Sequence, residues 1–166
     1  MNRTFNYKVI GILFIICHLS FSVYAMAWQG DVTIETPKTQ LLLTAQEGGD
    51  LRQSYYGDKN ATLQELRDGG SDLNFHAMPA FGTVDAVQSP ALQVQHADGD
   101  LNLELKVSDY EMKDEVRARI HIFTMTDKLM LFTVKVFYKA YKNVDGIETW
   151  TEITHQEKKA ITLKRF

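Results

Sequence analysis

Histidine is the side chain that most readily moves a proton or holds a metal near neutral pH, and four lie beyond the first thirty residues: His76, His96, His121 and His155. Their spacing matches no ligand motif such as His-Glu-x-x-His, and three fall in alternating segments, where an imidazole packs or faces solvent. Two acidic pairs, Asp98/Asp100 and Asp114/Glu115, have the residue types of a hydrolytic dyad, whose carboxyl groups stand roughly 5 to 9.5 Å apart. Both pairs border turns, where Asp is favoured because its carboxylate accepts backbone hydrogen bonds. There is no Gly-x-Ser-x-Gly elbow, no P-loop and no dinucleotide fingerprint. A single cysteine, Cys17, excludes a disulfide framework and a multi-thiolate zinc site. No metal and no cofactor is expected.

The elements that would position these residues read almost entirely as strands. Val116, Ala118, Ile120 and Ile122 alternate with Arg117, Arg119 and His121, predicting a half-buried antiparallel strand with the first set inside. Leu101, Leu103, Leu105 and Val107 alternate with Asn102, Glu104, Lys106 and Ser108 in the same way. The run from Leu129 to Tyr141 is apolar on much of both faces and is expected to lie centrally. Asn143-Val144-Asp145-Gly146 supplies a tight hairpin, from which Ile147 to Thr154 returns. Further strands are expected at Val32 to Glu35, Gln40 to Ala45, Leu51 to Tyr56 and Ala91 to His96, with a strand-like end from Ala160 to Phe166. One short helix, Ala61 to Arg67, is capped by Asn60 and stopped by Gly69-Gly70. The fold class is all-β.

The 166 residues, 45% hydrophobic and 23% charged, suit one globular domain and leave no room for a catalytic barrel of roughly 250 residues. With 18 basic and 21 acidic residues the net charge is -3, which argues against a nucleic-acid partner. Arg3 and Lys8 lead into the uncharged run Val9 to Ile16, and small residues follow at Ala25 and Ala27, so residues 1–25 read as a cleavable signal peptide, with cleavage after Ala25 or Ala27. The run falls short of the ~20 residues that span a bilayer, so no stable membrane anchor is expected. Ile15-Ile16 before Cys17 lacks the small residues of a lipoprotein signal. Cleavage would remove the only cysteine and leave 16 basic residues against 21 acidic, a charge of -5 on an exported, periplasmic or secreted protein. Residues 28–166 form the remaining domain.

Four stretches go further. Tyr55-Tyr56-Gly57-Asp58-Lys59 follows an early strand, and Pro79-Ala80-Phe81-Gly82-Thr83 comes next. Ser89-Pro90-Ala91-Leu92-Gln93-Val94-Gln95-His96-Ala97-Asp98-Gly99 and Asp145-Gly146-Ile147-Glu148-Thr149-Trp150-Thr151-Glu152-Ile153 complete the series. In this order the chain, from about Val32 onward, resembles the N-terminal domain of bacterial α-galactosidases of glycoside hydrolase family 36. The segments around Pro90, His96, Asp98 and Gly99 and around Trp150 are the specific ones. Tyr56, Gly57, Pro79, Phe81 and Gly82 add the order.

The resemblance implies an antiparallel β-supersandwich of the galactose mutarotase type, incomplete in this chain and truncated before a catalytic (β/α)₈ barrel. It implies that the nucleophile and the acid/base are aspartates of that barrel, working by retaining double displacement, so that no catalytic residue lies in this chain. The implied partners are that barrel, α-galactoside substrates of the full-length enzyme, and a second copy in a homo-oligomer. The loop after Tyr-x-Gly, here Asp58 to Met78, can carry an acidic residue to the galactose of a neighbouring sugar site, and Asp68 and Asp72 are the candidates. The alternative is a solvated surface loop. Trp150 could be a sugar-stacking platform, but a packing role is the more economical reading. The competing functional class is a free-standing exported carbohydrate-binding β-sandwich module.

Overall fold

A computed structural model describes residues 28–46, 49–60, 62, 75–76, 92–127, 129 and 131–165. The expected helix, the leader and the segments holding Asp68, Asp72, Pro79, Phe81, Gly82 and Pro90 lie outside the described residues.

Strand β1 (Gly30–Glu35) turns through Thr36-Pro37-Lys38 into β2 (Thr39–Ala45), and β2 pairs with β3 (Leu51–Asp58). Proline pre-sets the φ of the turn, and Thr36 closes it: its N–H donates to the Thr39 carbonyl at 2.9 Å and its Oγ1 accepts the Thr39 N–H at 3.0 Å. The short strand β4 (Phe75–His76) completes this antiparallel sheet in the order β1-β2-β3-β4. A second antiparallel sheet holds β6 (Lys106–Asp114), β7 (Ala118–Asp127), β8 (Phe132–Tyr141) and β9 (Ile147–His155) in sequence order. A third pair joins β5 (Gln93–Gln95) to β10 (Thr162–Arg165). The described residues contain strands and no helix, all pairings antiparallel, as the alternation predicts.

One apolar cluster joins the sheets. Val32, Ile34, Leu41 and Leu43 from β1 and β2 meet Val107, Phe123, Met125, Phe132, Val134 and Val136 from the larger sheet, with Leu92 and Val94 closing the side. Gly49 shows how closely the sheets approach. It sits at φ 85°, and a Cβ there would lie 2.7 Å from the Lys106 Cβ, while its carbonyl accepts the Val107 N–H at 2.7 Å.

Two expectations are corrected. In β7 Ala118 and Ile122 are buried, but the face toward the central cluster is not Val116-Ala118-Ile120-Ile122. Val116 stands in the β6–β7 turn, 94% exposed, and His121, Phe123 and Met125 are the buried alternation facing the central cluster. The larger apolar volume, Phe123 and Met125, decides the register and carries His121 inward with it. The Leu101–Ser108 strand begins only at Lys106. Upstream, side chains satisfy the backbone in place of a neighbouring strand: Asp127 Oδ2 accepts the Glu104 N–H at 2.7 Å and Asp100 Oδ1 accepts the Asn102 N–H at 3.0 Å. Leu101 is consequently exposed while Leu105 is buried. In the run Leu129 to Tyr141 the strand covers only Phe132–Tyr141, which is internal and paired on both sides as expected, while Leu129 and Leu131 stand exposed ahead of it.

Trp28 seals one end. Its ring lies 5.0 Å from that of Tyr110 and 6.0 Å from that of Phe123, which meets Tyr138 edge-on. The Tyr110 hydroxyl stands 2.9 Å from His121 Nδ1. Burial, aided by the Arg119 charge, holds the His121 pKa down at about 4.

Phe123, fully buried at the centre of this aromatic group, should cost about 3–5 kcal/mol on substitution by Ala, read as a lower midpoint in denaturant unfolding at unchanged slope. His121 gives a pH signature. Its pKa in the folded chain lies below the unfolded value near 6.5, so below pH 6.5 the unfolded chain takes a proton that the folded chain refuses. Stability should therefore be fully present above pH 6.5 and fall by on the order of 2 kcal/mol toward pH 4, after allowance for the solvent that reaches the ring. Melting temperatures across that window should slope for the native chain and flatten for His121→Asn.

Candidate functional site

The motif around His96 folds into a tight turn after β5. The His96 N–H donates to the Asp100 carbonyl at 2.8 Å and the Gly99 N–H to the His96 carbonyl at 2.9 Å, with Gly99 at φ 93°, where a side chain would be strained. Asp98 Oδ1 accepts the Asp100 N–H at 3.0 Å, so this acidic pair serves the turn through its backbone. Hydrogen bonding from the Asn102 N–H also holds the Asp100 carboxyl below its ordinary range. The other acidic pair is committed to cations: Asp114 to Lys142 at 2.7 Å and Arg119 at 3.4 Å, Glu115 to Lys139 at 3.4 Å. The Lys142 contact, first among the causes, depresses the Asp114 pKa.

The His96 ring is buried and edge-on to Phe132, with centroids 6.1 Å apart. Nδ1 lies 2.7 Å from Glu157 Oε1 and Nε2 lies 2.9 Å from the Asn102 carbonyl. The second oxygen of Glu157 accepts the Ala97 N–H at 2.8 Å. Those bonds, the His96 contact first, hold the Glu157 carboxyl below its ordinary range. One carboxylate thus ties the turn after β5 to the segment between β9 and β10. Beside it is a shallow depression of about 340 Å³, lined by Ala97, Asp98, Leu129, Leu131 and Glu157 to Lys159. Leu129 and Leu131 are exposed there, and Leu131 holds φ 53°.

The Tyr-Tyr-Gly motif ends β3. Tyr55 folds its ring back over Gly57 and donates its hydroxyl to the Asp58 carbonyl at 3.1 Å. A Cβ at Gly57 would lie 2.5 Å from that hydroxyl, which gives the glycine a steric reason. Tyr56 is 60% exposed. This end of the domain is fastened by Asp145 in the β8–β9 hairpin. Its Oδ1 accepts hydrogen bonds from the hydroxyls of Thr36 and Thr39, the latter at 3.1 Å, and the Thr36 contact lowers its pKa most.

The motif residues are therefore dispersed. Tyr56 and Gly57 stand near the Asp145 end of β8, and His96, Asp98 and Gly99 near its Leu131 end, a ten-residue strand or roughly 30 Å away. Trp150 lies between, on the opposite face of the sheet from the central cluster, stacked on Phe137 with centroids 4.7 Å apart and an interplanar angle of 7°. Among the described residues no group of three His, Cys, Asp or Glu gathers at metal-binding distance. Sequence reasoning missed Glu157 and Phe137. Glu157 lies 61 positions from His96, and no local spacing announces that pairing.

Residues 40–166 match the glycosyl hydrolase family 36 N-terminal domain. No curated protein matches the chain. Solved structures do. A variant of the α-galactosidase AgaA from Geobacillus stearothermophilus, in complex with 1-deoxygalactonojirimycin, superposes with a TM-score of 0.68 at 18% identity, covering 82% of this chain and 23% of that one. The galactosidase domain of the α-galactosidase-sucrose kinase AgaSK gives 0.65 at 20% identity, covering 80% and 23%. The α-galactosidase from Lactobacillus brevis gives 0.64 at 19%, covering 82% and 23%. At these identities the likeness establishes the fold, and the chain spans about a quarter of the length of each relative. With a family match over most of its length and an antiparallel fold that superposes on these enzymes, the chain belongs to the glycosyl hydrolase family 36 N-terminal domain family.

Proposed function

We propose that this chain is the non-catalytic N-terminal β-sandwich region of an exported α-galactosidase. The observation that carries the reading is the match over residues 40–166 to a domain that occupies about a quarter of each α-galactosidase it superposes on. Five carboxylates support it, since Asp98, Asp100, Asp114, Glu115 and Glu157 are each committed to backbone or basic partners and none of these is poised as an acid or nucleophile. In this reading the domain is part of a supersandwich of the galactose mutarotase type, packs on a catalytic barrel, and lends the loop after Tyr56-Gly57 to a sugar site, with Asp68 or Asp72 accepting a galactose hydroxyl. Residues 1–25 direct export to the periplasm or beyond.

The chain alone should release no nitrophenol from 4-nitrophenyl α-galactoside, whereas a chain of the relatives' full length should do so; release by the chain alone would overturn the assignment. In that longer chain Asp72→Ala or Asp68→Ala should raise KM several-fold, and unchanged KM and rate for both would remove the loop's role. Mass spectrometry of the exported product should place its first residue at Met26 or Trp28.

A further inference from the structure

Trp150 is not part of the central cluster, although its strand is. It stands on the outer face of β9 directly opposite Phe137 of β8. The 4.7 Å between their ring centroids equals the spacing of neighbouring strands, and the rings are within 7° of parallel, so the stack runs across the strands. One indole face is thus covered by Phe137, Trp150 is half-buried, and among the described residues no second ring lies against the other face. Among the described residues no strand pairs with β9 on that side. Alternation puts Glu148 and Glu152 on the same face of β9, one on either side of Trp150. Glu148 accepts the Tyr141 hydroxyl at 2.8 Å, which holds it in place, and Glu152 makes no hydrogen bond or ion pair among the described residues. Lys135 and Lys139 stand opposite Glu152 and Glu148 in register, and Lys139 is drawn to Glu115.

A flat aromatic face, held rigid by a second ring and flanked by carboxylates, matches the chemistry of a pyranose: C–H groups on one side, hydroxyl donors around the rim. In galactose the axial O4 leaves the face formed by C3, C4 and C5 free of hydroxyl groups, which favours it over glucose on an indole. We propose that the face of Trp150 turned away from Phe137, with Glu152 and Glu148 as hydroxyl acceptors, is a non-catalytic binding site for a galactopyranosyl unit, at the edge of β9 and apart from the loop after β3. The choice of galactose rests on the α-galactosidase reading above.

The test uses the full chain carrying Trp28→Phe, which leaves Trp150 as the reporter among the two tryptophans, titrated with methyl α-galactoside and methyl α-glucoside. The expected result is saturable change of indole fluorescence by the galactoside, at least several-fold tighter than by the glucoside. Glu152→Gln should weaken binding about threefold with an unchanged melting temperature. Trp150→Ala, followed by saturation-transfer NMR, should weaken it about tenfold, and Trp150→Phe should restore part of the affinity if loss of the stack disturbs folding. No saturable signal with either sugar overturns the site. Tighter binding of the glucoside overturns the galactoside assignment without bearing on the platform. Concentration-dependent pairing of two copies through β9, with no sugar effect, overturns the proposal in favour of a strand interface. Since the measurement needs no hydrolysis, its failure is distinguishable from failure of the α-galactosidase reading, which the nitrophenol assay addresses.

Discussion

The register between β7 and β8 is the constraint on which the rest of the domain depends. Ten consecutive pairs, from Ala118 opposite Tyr141 to Asp127 opposite Phe132, run without a shift. Because side chains alternate strictly, that single choice places Phe123, Met125, Val134 and Val136 against β1 and β2, and sends Ile122 and Phe137 to the other face. A slip by one residue would exchange the two sets and turn the residues that hold the sheets together away from β1 and β2. The pair β8–β9 continues the ladder without a shift, whereas β6–β7 and, in the other sheet, β2–β3 each contain an irregularity, between Val107 and Asp109 and between Leu42 and Leu43.

Around this frame, a few carboxylates fasten segments that hydrophobic burial alone would leave loose. Asp145 fixes the β1–β2 turn to the β8–β9 hairpin at one end, Glu157 fixes the His96 turn at the other, and at that same end Asp127 supplies acceptors to Glu104 and Leu129. Each accepts backbone or hydroxyl donors from a segment that no neighbouring strand holds in place. The three acids lie far apart in the chain from most of the groups they serve. This division of labour explains why acidic residues that look chemically promising in the sequence have structural duties.

Much of the fold was legible in the sequence. Alternating apolar residues announced most strands, and Asn143 to Gly146 announced the hairpin, because strand periodicity and turn conformations are local properties. β7 is buried on both faces at Ile122 and Phe123, and which of the two meets the central cluster was misread because Ala118, Ile120 and Ile122 form as regular an alternation as His121, Phe123 and Met125. The late start of β6 was hidden for a similar reason: Leu101 to Val107 alternates well, but Asp127 and Asp100 supply the backbone with acceptors and no neighbouring strand is required there.

The motif residues show the same limit. Gly57 and Gly99 carry local reasons that sequence spacing conveys, one a tyrosine ring folded over it and the other a turn at positive φ. The pairing of His96 with Glu157 and the stack of Trp150 on Phe137 arise only when distant segments meet across strands. By itself the sequence determined the all-β class, the hairpins and the resemblance to a family 36 N-terminal domain, because periodicity, turn chemistry and motif order survive without long-range contacts. Tertiary structure alone decided which face of each strand is buried and which polar groups meet, because both are outcomes of packing one set of side chains in place of another equally regular set.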